Sequence, residues 1–72
     1  MSMPDFEVWF EGSRYNGLPL MTYYGYSKKN VVEKVKWDAN KENADEFHIN
    51  YKGSGKSVGF WKKKGTRWYR EW

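Results

Sequence analysis

Residues 27–47, SKKNVVEKVKWDANKENADEF, carry the helical period of this chain. Val31, Val32, Val35 and Ala39 recur at spacings of three and four, so they share one stripe of a helix of about four turns. Ser27 precedes that stripe as an N-cap, with its hydroxyl able to accept from the backbone N–H of Lys29 or Asn30. Lys29 with Glu33, and Lys34 with Asp38, are opposite charges four residues apart, worth a few tenths of a kcal/mol each. Asparagines gather at Asn40 and Asn43, where the helix is expected to end. The segments on either side alternate with a period of two. A single apolar stripe flanked by strands is buried most simply against one face of an antiparallel sheet.

The strands read outward from this helix. Upstream, Phe6, Val8 and Phe10 alternate with Glu7, Trp9 and Glu11, the pattern of a strand with one buried face. Asn16-Gly17 is the strongest two-residue hairpin signal in the chain. As a type I′ turn it would set Phe10 opposite Tyr23, Trp9 opposite Tyr24 and Glu11 opposite Thr22. A longer loop from Gly12 to Gly17 is the alternative, and it would free the register. In the tight register Phe6, Val8, Phe10, Met21 and Tyr23 form a core face, while Trp9, Tyr24 and Tyr26 gather on the other. Downstream, Phe47, Ile49 and Tyr51 alternate with His48, Asn50 and Lys52. Val58–Lys63 and Thr66–Glu71 follow as two more strands, joined at Lys64-Gly65. The expected architecture is α+β: a small single domain over residues 1–72, built as a β-hairpin, one amphipathic helix and a meander of two or three strands, with the helix packed on one face.

Composition limits the function. A chain of 72 residues has room for one small core, with only about 60% of its unfolded surface buried. It has no cysteine and one histidine, so disulfides and ordinary zinc staples are excluded. Five Trp, six Tyr and four Phe replace them, each able to bury about 150–250 Å². Mean hydropathy is −1.04 and no run of about 20 apolar residues exists, so no membrane span is expected. The start, MSMPDFEVWFEG, lacks a basic segment followed by an apolar one, so no signal peptide is expected and the expected compartment is the cytoplasm. No cofactor is expected. The pI near 9.4 favours polyanions or an acidic protein surface as partners.

Catalytic patterns are weak. Gly53-Ser54-Gly55-Lys56-Ser57 ends like a phosphate-binding loop, but Asn50 stands where the motif's first glycine belongs and a strand follows instead of a helix. His48 has no nucleophile or ligand partner in the sequence pattern. Glu7 and Glu11 lie about 13 Å apart along one strand, too far for a glycosidase pair. Asp38, Glu42, Asp45 and Glu46 lack the spacing of a calcium loop. The expectation is a non-enzymatic protein. Signatures of RNA-recognition motifs and cold-shock domains are also absent.

The segment KGSGKSVGFWKKKGTRWYREW, residues 52–72, holds seven of the thirteen basic residues and one acid. Lys52, Lys56, Lys62, Lys63, Lys64, Arg67 and Arg70 are therefore the candidate phosphate contacts, and Trp61, Trp68 and Trp72 the candidate stacking platforms. Alternation puts Trp68, Arg70 and Trp72 on one face of the last strand. The expected function is nucleic-acid binding, single strands or loops favoured over duplex, with weak sequence specificity because no base-reading helix is evident. The rival is a protein-interaction accessory or inhibitor of phage or mobile-element style, docking through Trp9, Tyr24 and Tyr26. A homodimer through that aromatic face is a third expectation.

Overall fold

A computed structural model describes residues 3–72. Five strands and one helix follow in the order β1 (Phe6–Glu11), β2 (Leu20–Tyr23), α1 (Lys28–Lys41), β3 (Glu46–Tyr51), β4 (Ser57–Lys64) and β5 (Arg67–Arg70). The sheet is antiparallel throughout, ordered β2-β1-β3-β4-β5. The fold is the α+β arrangement that the alternating and helical periods imply, with three strands in the closing meander.

The helix covers one face only. Val31, Val35 and Ala39 are fully buried, and they meet Phe6, Val8, Phe10, Tyr23, Phe47, Ile49 and Trp61 in a single core. Burying a valine or phenylalanine side chain contributes about 1.5–3 kcal/mol, so the stripe contributes several kcal/mol towards holding the helix on the sheet. Ser27 caps it, its Oγ accepting from the Asn30 N–H at 3.2 Å. Lys34 pairs with Asp38 at 3.1 Å. Lys29 does not take Glu33, which pairs with Lys36 at 3.2 Å instead. Asn43, with φ 61°, turns the chain out of the helix into β3.

The β1–β2 hairpin corrects the tight-turn expectation. Phe6, not Phe10, faces Tyr23, and Trp9 faces Leu20. The loop therefore runs over residues 12–19. Its cause is Tyr15, whose ring folds back onto Phe10 with centroids 5.4 Å apart while its hydroxyl donates to the Leu18 carbonyl. A Cβ on Gly17 would fall 2.3 Å from the Tyr15 hydroxyl oxygen, so glycine is needed there for close approach and not for a type I′ turn. The register moved by an even number of residues, so every β1 and β2 side chain kept its face.

Two bulges shape the meander. Ile49 pairs with Gly59 and Asn50 with Ser57, which leaves Val58 as an extra residue and lets it point into the core. At the far edge Glu71 N–H donates to the Phe60 carbonyl, and Phe60 N–H donates to the Trp72 carbonyl. Two residues thus oppose one. β4 and β5 are joined by a two-residue turn, Gly65-Thr66, with Gly65 at φ 64°, the position where such turns favour glycine.

Candidate nucleic-acid interface

The sheet face opposite the helix is uncovered. Cross-strand pairing arranges it in rows that run perpendicular to the strands. Leu20 pairs with Trp9, Trp9 with His48, and His48 with Phe60. Phe60 in turn is hydrogen-bonded to Trp72 across the edge bulge. The result is one continuous row, Leu20–Trp9–His48–Phe60–Trp72, spanning about 19 Å at about 4.8 Å per strand. Trp9 is 47% exposed and Trp72 59%. The rings pack together at the basic end: His48 and Trp72 meet edge-on with centroids 4.8 Å apart, and Phe60 and Trp72 are tilted with centroids 5.7 Å apart. His48 Nε2 is 2.9 Å from Ser57 Oγ, which fixes the imidazole plane within the row. Trp9, Glu11, Glu46, His48, Phe60 and Trp72 line a shallow cleft along it.

One flank of the row is charged and divided by sign. Glu11 pairs with Glu46, Glu46 with Lys62, and Lys62 with Tyr69. Lys64 and Arg67 pair next to them and complete the level beyond. Acid therefore occupies the β1 and β3 side, and base the β4 and β5 side. Lys62 Nζ bridges the two, 3.7 Å from Glu46 and 5.7 Å from the Phe60 ring centroid. Lys64 Nζ lies 5.6 Å from the ring centroid of Tyr69, itself 46% exposed. The opposite flank, Thr22, Glu7, Asn50 and Ser57, is polar and nearly neutral.

The sequence-derived candidates separate on this frame. Lys62, Lys64 and Arg67 come together with Trp72. Trp61 does not join them: it is 5% exposed, stacks on Phe47 at 5.1 Å, and has no free ring face for a base. Trp68 packs against the same core, 4.9 Å from Phe47, and donates its Nε1–H to Asn40 Oδ1 at 3.1 Å. Both indoles hold the helix to the sheet. Lys63 sits on the helix side over Trp68 at 5.8 Å. Arg70 is also on that side, 5.5 Å from Trp61 and donating from Nη2 to the Val58 carbonyl at 2.7 Å. Lys52 and Lys56 belong to the turn between β3 and β4, and Lys56 lies about 26 Å along the strand from Lys64 at about 3.3 Å per residue.

Trp72 leaves the company of Trp68 and Arg70, because the edge bulge reverses its side. Trp9, Tyr24 and Tyr26 are not gathered either. Tyr24 follows Tyr23, which pairs with Phe6, whereas Trp9 pairs with Leu20, a separation of about 13 Å. The Tyr24 ring is instead covered by Lys52 at 5.4 Å, and Tyr26 packs edge-on against Tyr23 at 6.0 Å. His48, Phe60 and Tyr69 were absent from the candidates. The strand alternation that sets them beside Lys62 was legible, but their alignment into one row depends on the pairing of β1 with β3 and on two bulges.

Trp37 stands apart on the outer side of the helix, 60% exposed, with Lys34 4.9 Å and Lys41 5.5 Å from its ring centroid. Among the described residues, no cluster of three His, Asp or Glu side chains could hold a metal, and no helix is long and apolar enough to cross a membrane. Comparison with protein-family models, curated proteins and solved structures gives no match to the chain.

Proposed function

We propose that the chain is a non-enzymatic, single-strand nucleic-acid-binding module of the cytoplasm that uses the open sheet face. What supports this reading most is the exposed Trp72 ring and the half-buried Phe60 ring lying beside Lys62, Lys64 and Arg67. Bases stack on aromatic faces at about 1–3 kcal/mol each, and lysines and arginines on one flank follow the phosphates. The row is long enough for about three stacked nucleotides. Specificity is weak, because stacking accepts any base, and duplex is disfavoured because its bases are not free to meet the rings.

Among the described residues, Lys62, Lys64 and Arg67 are the three basic side chains that stand on the open face beside the row. The expected slope of log affinity against log salt on single strands is therefore about −2, at roughly −0.7 per neutralised phosphate. A fluorescence titration of a labelled single-stranded oligonucleotide across a salt series measures it. Replacing Lys62, Lys64 and Arg67 with Ala should flatten the slope towards zero and weaken binding at least about tenfold at low salt. A variant that keeps the full slope would refute this use of the face.

A second reading follows from the acidic end. Glu7 and Glu11 stand on β1 beside Trp9 and would repel phosphate, so the Trp9 end suits a protein surface better than a nucleic acid. An accessory or inhibitory protein, of the kind phages encode, would dock there through Trp9.

A further inference from the structure

The open face carries a pattern that fits itself. The sheet order places β3 at the centre, with β1 and β4 on either side and β2 and β5 at the edges. On the charged level, Glu11 lies on β1 and Lys62 on β4, equally far from β3. On the aromatic level, Trp9 on β1 and Phe60 on β4 are likewise equidistant, with Leu20 and Trp72 at the two edges. We propose that two copies of this chain pack open face to open face as a dimer. A two-fold axis between the faces, parallel to the strands and over β3, keeps each row on its own level. It exchanges β1 with β4 and β2 with β5.

That operation makes a heteropolar contact out of each copy's charge asymmetry. Glu11 of one copy meets Lys62 of the other, twice by symmetry, and the Lys64–Arg67 corner completes the basic side. Trp9 meets Phe60, and Leu20 meets Trp72. The two Glu46 carboxylates face each other across the axis, and the Lys62 side chains of both copies flank them and offset that like-charge contact. Aligned packing of two sheets at about 10 Å, with their twist of about −30°, is the ordinary geometry for such faces. An isologous contact of this type closes at two copies.

Size sets the strength. Five strands about 4.8 Å apart, four to eight residues long at about 3.3 Å each, give a face of roughly 20 by 20 Å. The contact therefore buries roughly 800 Å² over both copies, below the standard size of a specific interface and in the range of weak, transient ones. The dimer is therefore reversible, and an exposed aromatic row is covered when no other ligand is present. Dimerisation does not depend on nucleic-acid binding, although the two occupants exclude each other from this face.

Sedimentation velocity over a concentration series reads the outcome directly. The wild-type protein should pass from 8.7 kDa to twice that mass as concentration rises. Glu11→Lys and Lys62→Glu each place like charges opposite one another, and each alone should weaken the dimer at least about tenfold. An equimolar mixture of the two variants pairs opposite charges again and should restore a dimer that neither variant forms. Wild-type protein that stays monomeric up to millimolar concentration overturns the proposal. So does a Glu11→Lys protein that dimerises like wild type. Glu11→Lys keeps all the lysines of the face, so its oligonucleotide affinity, measured separately, should be retained or raised, and loss of the dimer is thereby distinguished from failure of the nucleic-acid reading.

Discussion

Tyr23 ties the sheet to the helix through one strong bond. Its hydroxyl donates to Asp38 Oδ2 at 2.6 Å, and Asp38 also holds Lys34. Burial, first, and then the hydrogen bond and charge of Asp38 push the phenol well above its ordinary range. A phenol whose pKa is raised in the fold stays protonated there while the unfolded chain ionises. Its contribution is therefore complete below about pH 10 and is lost as pH rises beyond that. Tyr23→Phe should cost about 1.5–3 kcal/mol at pH 7, the range for a hydrogen bond to a charged acceptor. It should also reduce the alkaline loss of stability, both read from urea unfolding at pH 7 and pH 10.5. The tryptophans divide at this same scale. Trp61 and Trp68 serve the core, Trp9 and Trp72 the open face, and Trp37 the solvent side of the helix. Sequence cannot make that division, because an indole in a strand reads the same whether its face meets Phe47 or water.

At the level of elements, the hairpin and the meander differ in how far they could be read. The faces of β1, β2, β3 and of β4 from Phe60 onward were legible, since burial there alternates with period two and survives any even shift in register, whereas the bulge at Val58 breaks the alternation. The register of β1 with β2 was not, because it depends on Tyr15 folding back onto Phe10, a contact inside the loop. The helix was legible from its stripe and its Ser27 cap. The last strand was misread at its end alone: the bulge of Glu71 and Trp72 against Phe60 inserts one residue and carries Trp72 across the sheet. Gly59 makes this bulge possible. A Cβ there would lie 2.8 Å from both Trp61 Cη2 and the Trp72 carbonyl oxygen, and 2.9 Å from Arg70 Nε. Gly59→Ala should therefore push the C-terminal residues off β4, at about 1–3 kcal/mol for overpacking. Loss of the Trp72 contribution to oligonucleotide binding, with the helical signal in circular dichroism retained, is the expected result.

Across the whole molecule, the helix leaves one face of the sheet open, and that is the face proposed to bind. A 72-residue domain has a margin of only about 4–10 kcal/mol, so an uncovered aromatic row is a large fraction of its apolar surface to leave in water. Net charge alone suggested one basic C-terminal patch. The fold divides that patch into the Lys62–Lys64–Arg67 corner, the remote Lys52–Lys56 turn and the helix-side Lys63 and Arg70. The candidate site is the corner together with the row, and Glu7 and Glu11 on β1 stand on either side of Trp9. The five tryptophan indole N–H signals report on this arrangement directly by nuclear magnetic resonance, one probe for each location. On adding a short single-stranded oligonucleotide at low salt, Trp72 should shift most and Trp9 next, while Trp37, Trp61 and Trp68 hold their positions. Shifts confined to Trp37, or five signals that do not move at saturating oligonucleotide, would contradict binding on the open face.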